Sequence, residues 1–398
     1  MKKKIAIITP GEYPVPATLG GAVESLVELL ILKNETVRDT CIIVYAIYEK
    51  HALLKSSDIK NAEFRYWKKN HFFIWEHRLR KLLHLIFKIK INDPYLRFIL
   101  KNLRNDRVDK IVVEGNISKY VVPIKKIKKD IDVYLHVHHD EFSRKPEPFF
   151  KDIFDSCSKI ITVSDFVKHP TDDWVIAKNK VVVLKNCIDA TCFYNSKSEK
   201  QLTRKELGMN KDAVVFLFSG RLIPSKGVKE LLLAFKKQEQ SNLTLLIAGA
   251  PSQGYNKENK FVLELKQIAE ECNNKVIFTG FIPYSGMPKI YSATDAVIIP
   301  SIENEAAPLS NIEAMAMGLP LITSTSGGTI EYSIEKGRLI VEIDSNFIDN
   351  LAKCIAKLAQ DNELRNTMGA VNYIHSKQYT SPESFYSSFI HLLYGDNG

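Results

Sequence analysis

Residues 300–320 read PSIENEAAPLSNIEAMAMGLP, and this stretch decides how the second half of the chain folds. The apolar run just before it, AVII at 296–299, is typical of a buried strand. Pro308 suits the first turn of a helix, and the glycine and second proline near the end provide a stop. We therefore predict a helix over about 308–317, and strand, loop and helix in this order indicate a doubly wound sheet.

Two acids lie on either side of the predicted helix start. Glu305 lies in the loop, and Glu313 lies just over one turn into the helix. The free N–H groups and the dipole of a helix N terminus favour an anion such as a diphosphate. Carboxylates accept hydrogen bonds from hydroxyl groups, which a ribose and a hexose beside that diphosphate would offer. The stretch thus predicts a site for a nucleotide sugar; the alternative is two solvated acids flanking an ordinary amphipathic helix.

The spacing of Glu305 and Glu313, followed by Ala-Met-Ala-x-Gly-x-Pro, resembles the signature of glycosyltransferase family 4, retaining enzymes of the GT-B fold. The resemblance implies that Glu313 holds the donor ribose and that Glu305 contacts the donor sugar near its reacting face. The neighbouring residues that would contact the donor are Ala306, Ala307, Leu309 and Ser310. The family commonly has Gly-Phe-Gly after the first acid, where this chain has Ala-Ala-Pro, so the fold transfers better than the donor sugar.

A basic loop opens the second domain. Residues 216–228 read FLFSGRLIPSKGV, which predicts a strand, a glycine turn and a loop that leads into a helix. Arg221 and Lys226 could neutralise a leaving diphosphate without a metal ion. The segment resembles the family motif Gly-Arg-Leu-x-x-x-Lys-Gly, which implies that both cations stabilise charge on the departing nucleotide. The alternative is that they are ordinary surface residues.

A glycine pair, Gly20 and Gly21, follows the first predicted strand and precedes a helix. Small residues let a ligand approach the backbone and leave N–H groups free at the helix start. On its own such a pair is a weak signal and more often just a turn. Its resemblance to the first glycine loop of the family implies contact with the donor phosphate or the acceptor.

Three histidines end a strand in the run YLHVHHDEF at 134–142. Strand alternation puts His136 and His138 on one face and His139 on the other. Two histidines with no third ligand in view do not define a metal site. The resemblance places a histidine near the sugar and its acceptor; we choose His138 for a hydrogen bond to the donor sugar or nucleophile. His139 is the alternative, and His136 is interpreted as a satisfied core histidine.

No cofactor and no metal ion are predicted. The Asp-x-Asp pair of the chain, Asp130 and Asp132, precedes a strand instead of following one, so we interpret it as a solvated strand entrance. Two further segments resemble the family: NCID at 186–189, where Cys187 replaces a glycine, and GGTIE at 327–331, a loop that usually faces the donor diphosphate.

The length of 398 residues predicts two domains. We place a Rossmann-like acceptor-binding domain at 1–190 and a Rossmann-like nucleotide-sugar-binding domain at 191–380, with a polar, irregular linker at about 186–204. By the resemblance, the two domains face a central cleft. Residues 381–398 would form a helix, over about 382–394, that returns to the first domain.

Segment 65–90 combines eight lysines and arginines with aromatic and aliphatic residues and a single acid. This pattern predicts docking on an anionic membrane surface; the alternative is that the aromatic residues are core and the lysines a solvated face. No recognisable nucleic-acid-binding module accompanies the net charge of +9. The scattered cysteines, the lack of a long apolar run and the short apolar start favour a cytoplasmic protein, peripheral on the inner face of the membrane.

Taken together, these patterns predict a retaining glycosyltransferase. It would move a hexose-type sugar from a nucleotide diphosphate donor, with UDP favoured by the resemblance, to a glycan or lipid-linked acceptor in bacterial surface polysaccharide synthesis. The alternatives are a sugar-nucleotide epimerase or phosphorylase of the same fold, and a non-catalytic subunit that binds nucleotide or glycan.

Overall fold

The computed structural model describes residues 2–69, 92–194, 196–251 and 259–395. Packing divides the chain into two compact units. The first unit contains Met1–Val163, Val167–Leu184 and Glu383–Gly398, and the second contains Ser164–Phe166 and Lys185–Pro382. Most of the basic aromatic segment predicted to dock on a membrane, residues 70–90, lies outside the described residues.

The first unit is built on a parallel sheet of seven described strands in the order β3-β2-β1-β4-β5-β6-β7. The strands are β1 Lys3–Ile8, β2 Thr40–Ile47, β3 Ala62–Trp67, β4 Lys110–Glu114, β5 Asp132–Val137, β6 Lys159–Thr162 and β7 Val181–Val183. The helices up to the second unit are α1 Ala22–Val37, α2 Lys50–Ser56, α3 Pro94–Leu103, α4 Val121–Ile127, α5 Glu147–Ser156 and α6 Asp165–Lys168. The order changes direction between β1 and β4, and loops at such a switch point commonly bind ligands.

The second unit has a parallel sheet of six described strands in the order β10-β9-β8-β11-β12-β13. The strands are β8 Val214–Ser219, β9 Leu243–Ala248, β10 Lys275–Gly280, β11 Ala296–Ile299, β12 Leu321–Ser324 and β13 Arg338–Val341. The helices are α7 Lys197–Glu206, α8 Val228–Lys236, α9 Lys260–Glu270, α10 Met287–Ser292, α11 Leu309–Ala316, α12 Phe347–Gln360 and α13 Asn362–Ser376. Here the switch point lies between β8 and β11.

Both faces of the second sheet are covered, which explains why its strands are almost continuously apolar. Phe216 and Phe218 enter one buried cluster with residues of α8, α9 and α12. Val215 and Leu217 point the other way and enter a second cluster with residues of α10 and α11. Because side chains alternate along a strand, one apolar run supplies both layers.

The prediction of two doubly wound sheets is confirmed, with two local differences. The outer strands β3 and β13 were not predicted, because their side chains are mostly half-buried or exposed and their sequences are mixed. Residues 197–204 of the predicted irregular linker lie in helix α7 instead, with the Ser196 hydroxyl accepting from the Glu199 backbone N–H.

The last helix, α14 Pro382–Tyr394, packs on the first unit as predicted. The Tyr386 hydroxyl donates to the Asp39 carboxylate at 2.5 Å, and the Tyr134 hydroxyl donates to the carbonyl of Leu393 at 2.9 Å. Within the described ranges, every helix is too short or too polar to span a bilayer.

Candidate functional site

The loop that follows β11 carries Glu305 and joins it to a predicted cation. Lys226 Nζ forms an ion pair with Glu305 Oε1, and the Ser301 hydroxyl donates to the same oxygen at 2.6 Å. The Glu305 backbone N–H donates to the Ser326 hydroxyl at 3.1 Å. β8 and β11 are neighbouring strands, so the loops after them lie at one edge of the sheet. The structure therefore brings Lys226 and Glu305 together, although 79 residues separate them in sequence.

Glycines make this close approach possible. Gly227 has a φ of +67°, and a Cβ there would lie 1.9 Å from the carbonyl oxygen of Pro300. A Cβ on Gly328 would lie 2.0 Å from the carbonyl oxygen of Ala306, and the Gly328 N–H donates to the carbonyl of Glu305 at 2.7 Å. Only a residue without a side chain fits at either place. The glycines of the Lys-Gly and Gly-Gly motifs thus hold the Glu305 loop from two sides.

Glu313 lies one turn into α11 and is almost fully buried. The Tyr291 hydroxyl donates to its Oε2 at 2.7 Å. Burial raises the pKa of Glu313 to about 7, although the hydrogen bond from Tyr291 acts to lower it. The carboxyl group is therefore poorly solvated and would gain from a hydroxyl ligand at its acceptor oxygens. Pro308 is the N-cap residue of α11, one position before its expected place in the first turn.

The other predicted donor-site residues surround this helix start or lie near it. Ala306 is buried, and Ala307, Leu309 and Ser310 are half-buried. The carbonyl of Ala307 accepts from the Asn186 side chain at 3.1 Å. Arg221 follows β8 and is exposed, and it does not join the ion pair of Lys226 with Glu305.

In the first unit, Gly20 and Gly21 form the turn into α1, with φ values of +78° and +109°. A Cβ on Gly21 would lie 2.2 Å from Oε2 of Glu24. Glu24 is itself buried, and burial raises its pKa to about 8. Sequence reasoning missed Glu24, because a single acid in the first turn of a helix is normally a solvated partner of the dipole.

His136 and His138 lie on one face of β5, as predicted, and both face Glu114 at the end of β4. His138 Nε2 lies 2.7 Å and His136 Nδ1 lies 3.0 Å from Oε2 of Glu114. His139 is half-exposed, with Nε2 3.8 Å from Glu141. His136 is buried, as its interpretation as a core histidine requires; its Nδ1 approaches Glu114, although neither ring nitrogen has an aligned hydrogen bond.

The protonation of this group follows from its burial. Burial alone would raise the pKa of Glu114, but the two histidines outweigh it and hold that pKa at about 2. Burial lowers the pKa of His138 to about 4, against the opposing effect of its hydrogen bond with Glu114. His138 is therefore a neutral imidazole at pH 7. Sequence reasoning also missed Glu114, since strand pairing, not sequence spacing, places it beside His136.

The Asp-x-Asp pair lies away from these residues. Asp132 begins β5 and accepts from Lys110 Nζ at 2.5 Å and from the Ser158 hydroxyl at 2.7 Å. Asp130 is exposed in the turn before the strand. These partners support the interpretation of the pair as a strand entrance.

Residues 199–373 match the family described as Glycosyl transferases group 1. This segment of the chain belongs to that family. This confirms the predicted family, and the protein is a glycosyltransferase that uses a nucleotide sugar.

Relatives of this glycosyltransferase extend the likeness to most of the chain. This chain is 27% identical over 378 residues to YtcC of Bacillus subtilis, and the match covers 92% of this chain and 85% of YtcC. It is 28% identical over 249 residues to the lipopolysaccharide 1,2-N-acetylglucosaminetransferase of Salmonella typhimurium, covering 61% and 62% of the two chains. The crystal structure of Anabaena Alr3699/HepE with UDP and glucose matches with a TM-score of 0.76 and 19% identity, covering 98% and 99%. This last likeness shows the GT-B fold.

The family match divides the predicted site residues of this glycosyltransferase into two groups. Arg221, Lys226, Glu305 and Glu313 lie inside the matched segment. Gly20, Gly21 and His138 lie in the first unit, outside it.

Proposed function

We propose that this glycosyltransferase transfers a hexose with retention from a UDP-sugar to a hydroxyl group of a glycan or lipid-linked acceptor. The observation that carries the proposal is the grouping of Lys226, Glu305 and Ser301 at the edge of the second sheet, beside the helix that bears Glu313. The Anabaena protein of the same fold was crystallised with UDP and glucose, so UDP-glucose is the first donor to test.

The diphosphate of the donor would lie against the start of α11, where backbone N–H groups and the helix dipole favour an anion. Lys226 is anchored by Glu305 yet remains partly exposed, so its ammonium group can also reach a phosphate oxygen. Arg221 is an exposed cation that follows β8, as Lys226 does. Together, Lys226 and Arg221 would supply two positive charges to the leaving diphosphate, which gains negative charge as the bond to the sugar breaks.

The two acids would bind hydroxyl groups. Glu313 is buried and already accepts from Tyr291, and the donor ribose would add hydroxyl donors to its carboxylate. Glu305 is held by Lys226 and Ser301, which fixes its orientation in the loop where the sugar would lie. A fixed acceptor costs little reorganisation when the ligand binds.

The proposed chemistry is a displacement on one face of the sugar. The acceptor oxygen forms a bond to the anomeric carbon while the bond from that carbon to the diphosphate oxygen breaks. The electron pair of the broken bond goes to the diphosphate, and the acceptor proton goes to a phosphate oxygen. Because Lys226 and Arg221 stabilise the negative charge where it develops, they lower the barrier selectively.

The roles that the resemblance gives to Gly20, Gly21 and His138, contact with the donor or the acceptor, are carried into this proposal unchanged. The proposal also includes a role in surface polysaccharide synthesis and a peripheral place on the cytoplasmic membrane. The name of the lipopolysaccharide enzyme of Salmonella typhimurium supports the role in surface polysaccharide synthesis.

The described start of the basic aromatic segment is tied to the first unit, since Arg65 forms an ion pair with Asp106 at 2.9 Å.

The deciding experiment incubates purified protein with UDP-, GDP-, ADP- and dTDP-sugars in the presence and absence of a membrane lipid extract. Nucleotide release and the mass of the extended acceptor are measured. Release of UDP that depends on acceptor, with one hexose added and the anomeric configuration kept, is the expected result. Release of another nucleotide would replace the donor, and conversion of the sugar nucleotide without acceptor would favour an epimerase.

A further inference from the structure

Three buried side chains of the first unit converge at the ends of β4 and β5. Glu114, His136 and His138 each offer one ligand atom, and these atoms all lie within 4.8 Å of one another. The side chains are 1%, 2% and 8% exposed, respectively. The group is therefore a preformed set of two imidazoles and one carboxylate, withdrawn from bulk water.

The contacts within this group leave several polar atoms unused. His138 Nε2 forms a hydrogen bond of 2.7 Å with Oε2 of Glu114. His136 Nδ1 is 3.0 Å from the same oxygen but is not aligned for a hydrogen bond, and Oε1 of Glu114 has no partner. Leaving a buried polar atom unpaired costs roughly 1–3 kcal/mol. Atoms that approach without pairing point to a common ligand between them.

The donor set selects the chemistry of that ligand. Imidazole and carboxylate together suit Zn²⁺ and similar transition-metal ions, whereas Mg²⁺ prefers oxygen ligands alone. Zinc bonds of roughly 2.0–2.2 Å in a tetrahedral arrangement separate the ligand atoms by roughly 3.3 Å. Oε2 of Glu114 lies 2.7 Å from His138 Nε2 and 3.0 Å from His136 Nδ1, so these side chains need only a small outward movement.

The charges nearby favour a cation at this place. Glu114 is a buried carboxylate at the end of β4. In the part of the chain that the structure describes, no lysine or arginine forms an ion pair with Glu24 or Glu114. A buried carboxylate without such a partner is stabilised by a metal ion.

We propose that Glu114, His136 and His138 bind one divalent transition-metal ion, for which Zn²⁺ has the matching ligand preference. Three protein ligands leave the fourth tetrahedral position for water or another small ligand. This site belongs to the first unit. It shares His138 with the donor or acceptor contact of the proposed function, so its test measures metal binding and not transfer activity.

The test begins with metal-depleted full-length protein and two probes, Zn²⁺ and Co²⁺. Equilibrium dialysis with metal analysis should show one tightly retained ion, and Co²⁺ should give the visible bands of a low-symmetry four- or five-coordinate site. Glu114→Gln and His138→Gln should each weaken binding by at least about 100-fold. His139→Gln, which changes the adjacent histidine on the other face, should leave the affinity unchanged.

X-ray absorption of the zinc-loaded wild-type protein tests the ligands without any variant. Two imidazoles with oxygen in the remaining positions are expected. Sulfur ligands would overturn the proposal, because the chain has six cysteines that could hold zinc elsewhere. Failure to retain Zn²⁺ at equimolar concentration, or equal binding by the folded His138→Gln variant, would overturn it too, leaving a hydrogen-bonded cluster.

Discussion

Acids lie at the carboxyl edges of both sheets, but they differ in their hydrogen-bond and ion-pair partners. In the second unit, Glu305 is paired with Lys226 and Ser301, and Glu313 is paired with Tyr291. In the first unit, Glu114 meets two imidazoles, and one of its oxygens has no hydrogen bond. Both edges lie at a topological switch point, so the topology offers a place for a ligand and the local partners decide which ligand fits.

The comparison predicts its largest effect at the cation of the second unit. Lys226→Ala should lower kcat by about 10²–10³-fold, because the leaving diphosphate loses a positioned charge. The melting temperature should change little, since the lysine is partly exposed. Steady-state kinetics with a fixed acceptor would measure this.

The control is Lys229→Ala in the next helix, which removes the same charge from an exposed pair with Glu264. It should retain nearly full kcat. Equal losses in both variants would mean that total charge, and not position, matters at this edge.

The next effect concerns the glycines that hold the loop of Glu305. Gly227→Ala should destabilise the second unit by about 3 kcal/mol or more, because the new Cβ meets the carbonyl of Pro300 in addition to the cost of a positive φ. Gly208 also has a positive φ, +63°, but its nearest neighbour would lie 3.7 Å away. Gly208→Ala should therefore cost only about 1 kcal/mol. Chemical denaturation separates the two, and equal costs would refute the steric argument.

Glu313, the buried acid of the second unit, should lower the stability of the free protein and strengthen nucleotide binding. Glu313→Gln should weaken nucleotide binding by about 10-fold or more, since a charged acceptor for the ribose is lost. The same change should stabilise the free protein by about 3 kcal/mol above pH 7, because the pKa of Glu313 is raised from 4.5 to about 7 by burial.

The pH window of this gain follows from the same pKa. Below pH 4.5 the carboxyl group is protonated in both folded and unfolded protein, so Gln and Glu should be equally stable. The penalty of the wild-type residue grows as pH rises through about 7. Melting temperatures of both proteins across this range, with calorimetric nucleotide affinities, would measure the trade. A Gln variant that is less stable at pH 8 would contradict it.

The smallest effect is expected at the partner of that acid. Tyr291→Phe should cost about 1 kcal/mol of stability at pH 8, because Glu313 loses the hydrogen bond that lowers its pKa. It should also weaken nucleotide binding less than Glu313→Gln does. Measuring both variants in one nucleotide titration ranks them, and a larger loss for Tyr291→Phe would make the tyrosine the direct ligand.

The two edges also show how far sequence reasoning reaches. Glu305, Glu313 and Lys226 lie in short contiguous motifs, and the strand and helix that place them have strong local signals. Glu114 comes from another strand and reaches His136 only through the register of β4 and β5. That pairing is set by tertiary packing, which a local pattern does not contain.

The same distinction explains the errors in the secondary structure. The buried strand β11 is purely apolar, and its predicted bounds, 296–299, are those of the structure. The outer strands β3 and β13 carry polar and half-exposed side chains, so their apolar signal is weak. Helix α7 is mostly polar, and only its Ser196 cap and a few buried residues distinguish it from a loop.

The place of α14 has a consequence for synthesis on the ribosome. The second unit is almost continuous in the chain, from Lys185 to Pro382, so its residues have all been translated before the last helix is made. The first unit begins earlier but needs Tyr386 for Asp39 and the carbonyl of Leu393 for Tyr134. Domains generally fold as units, so a unit that needs the last helix of the chain stays incomplete until that helix is made. The half of the protein that is translated first is therefore the half that finishes folding last.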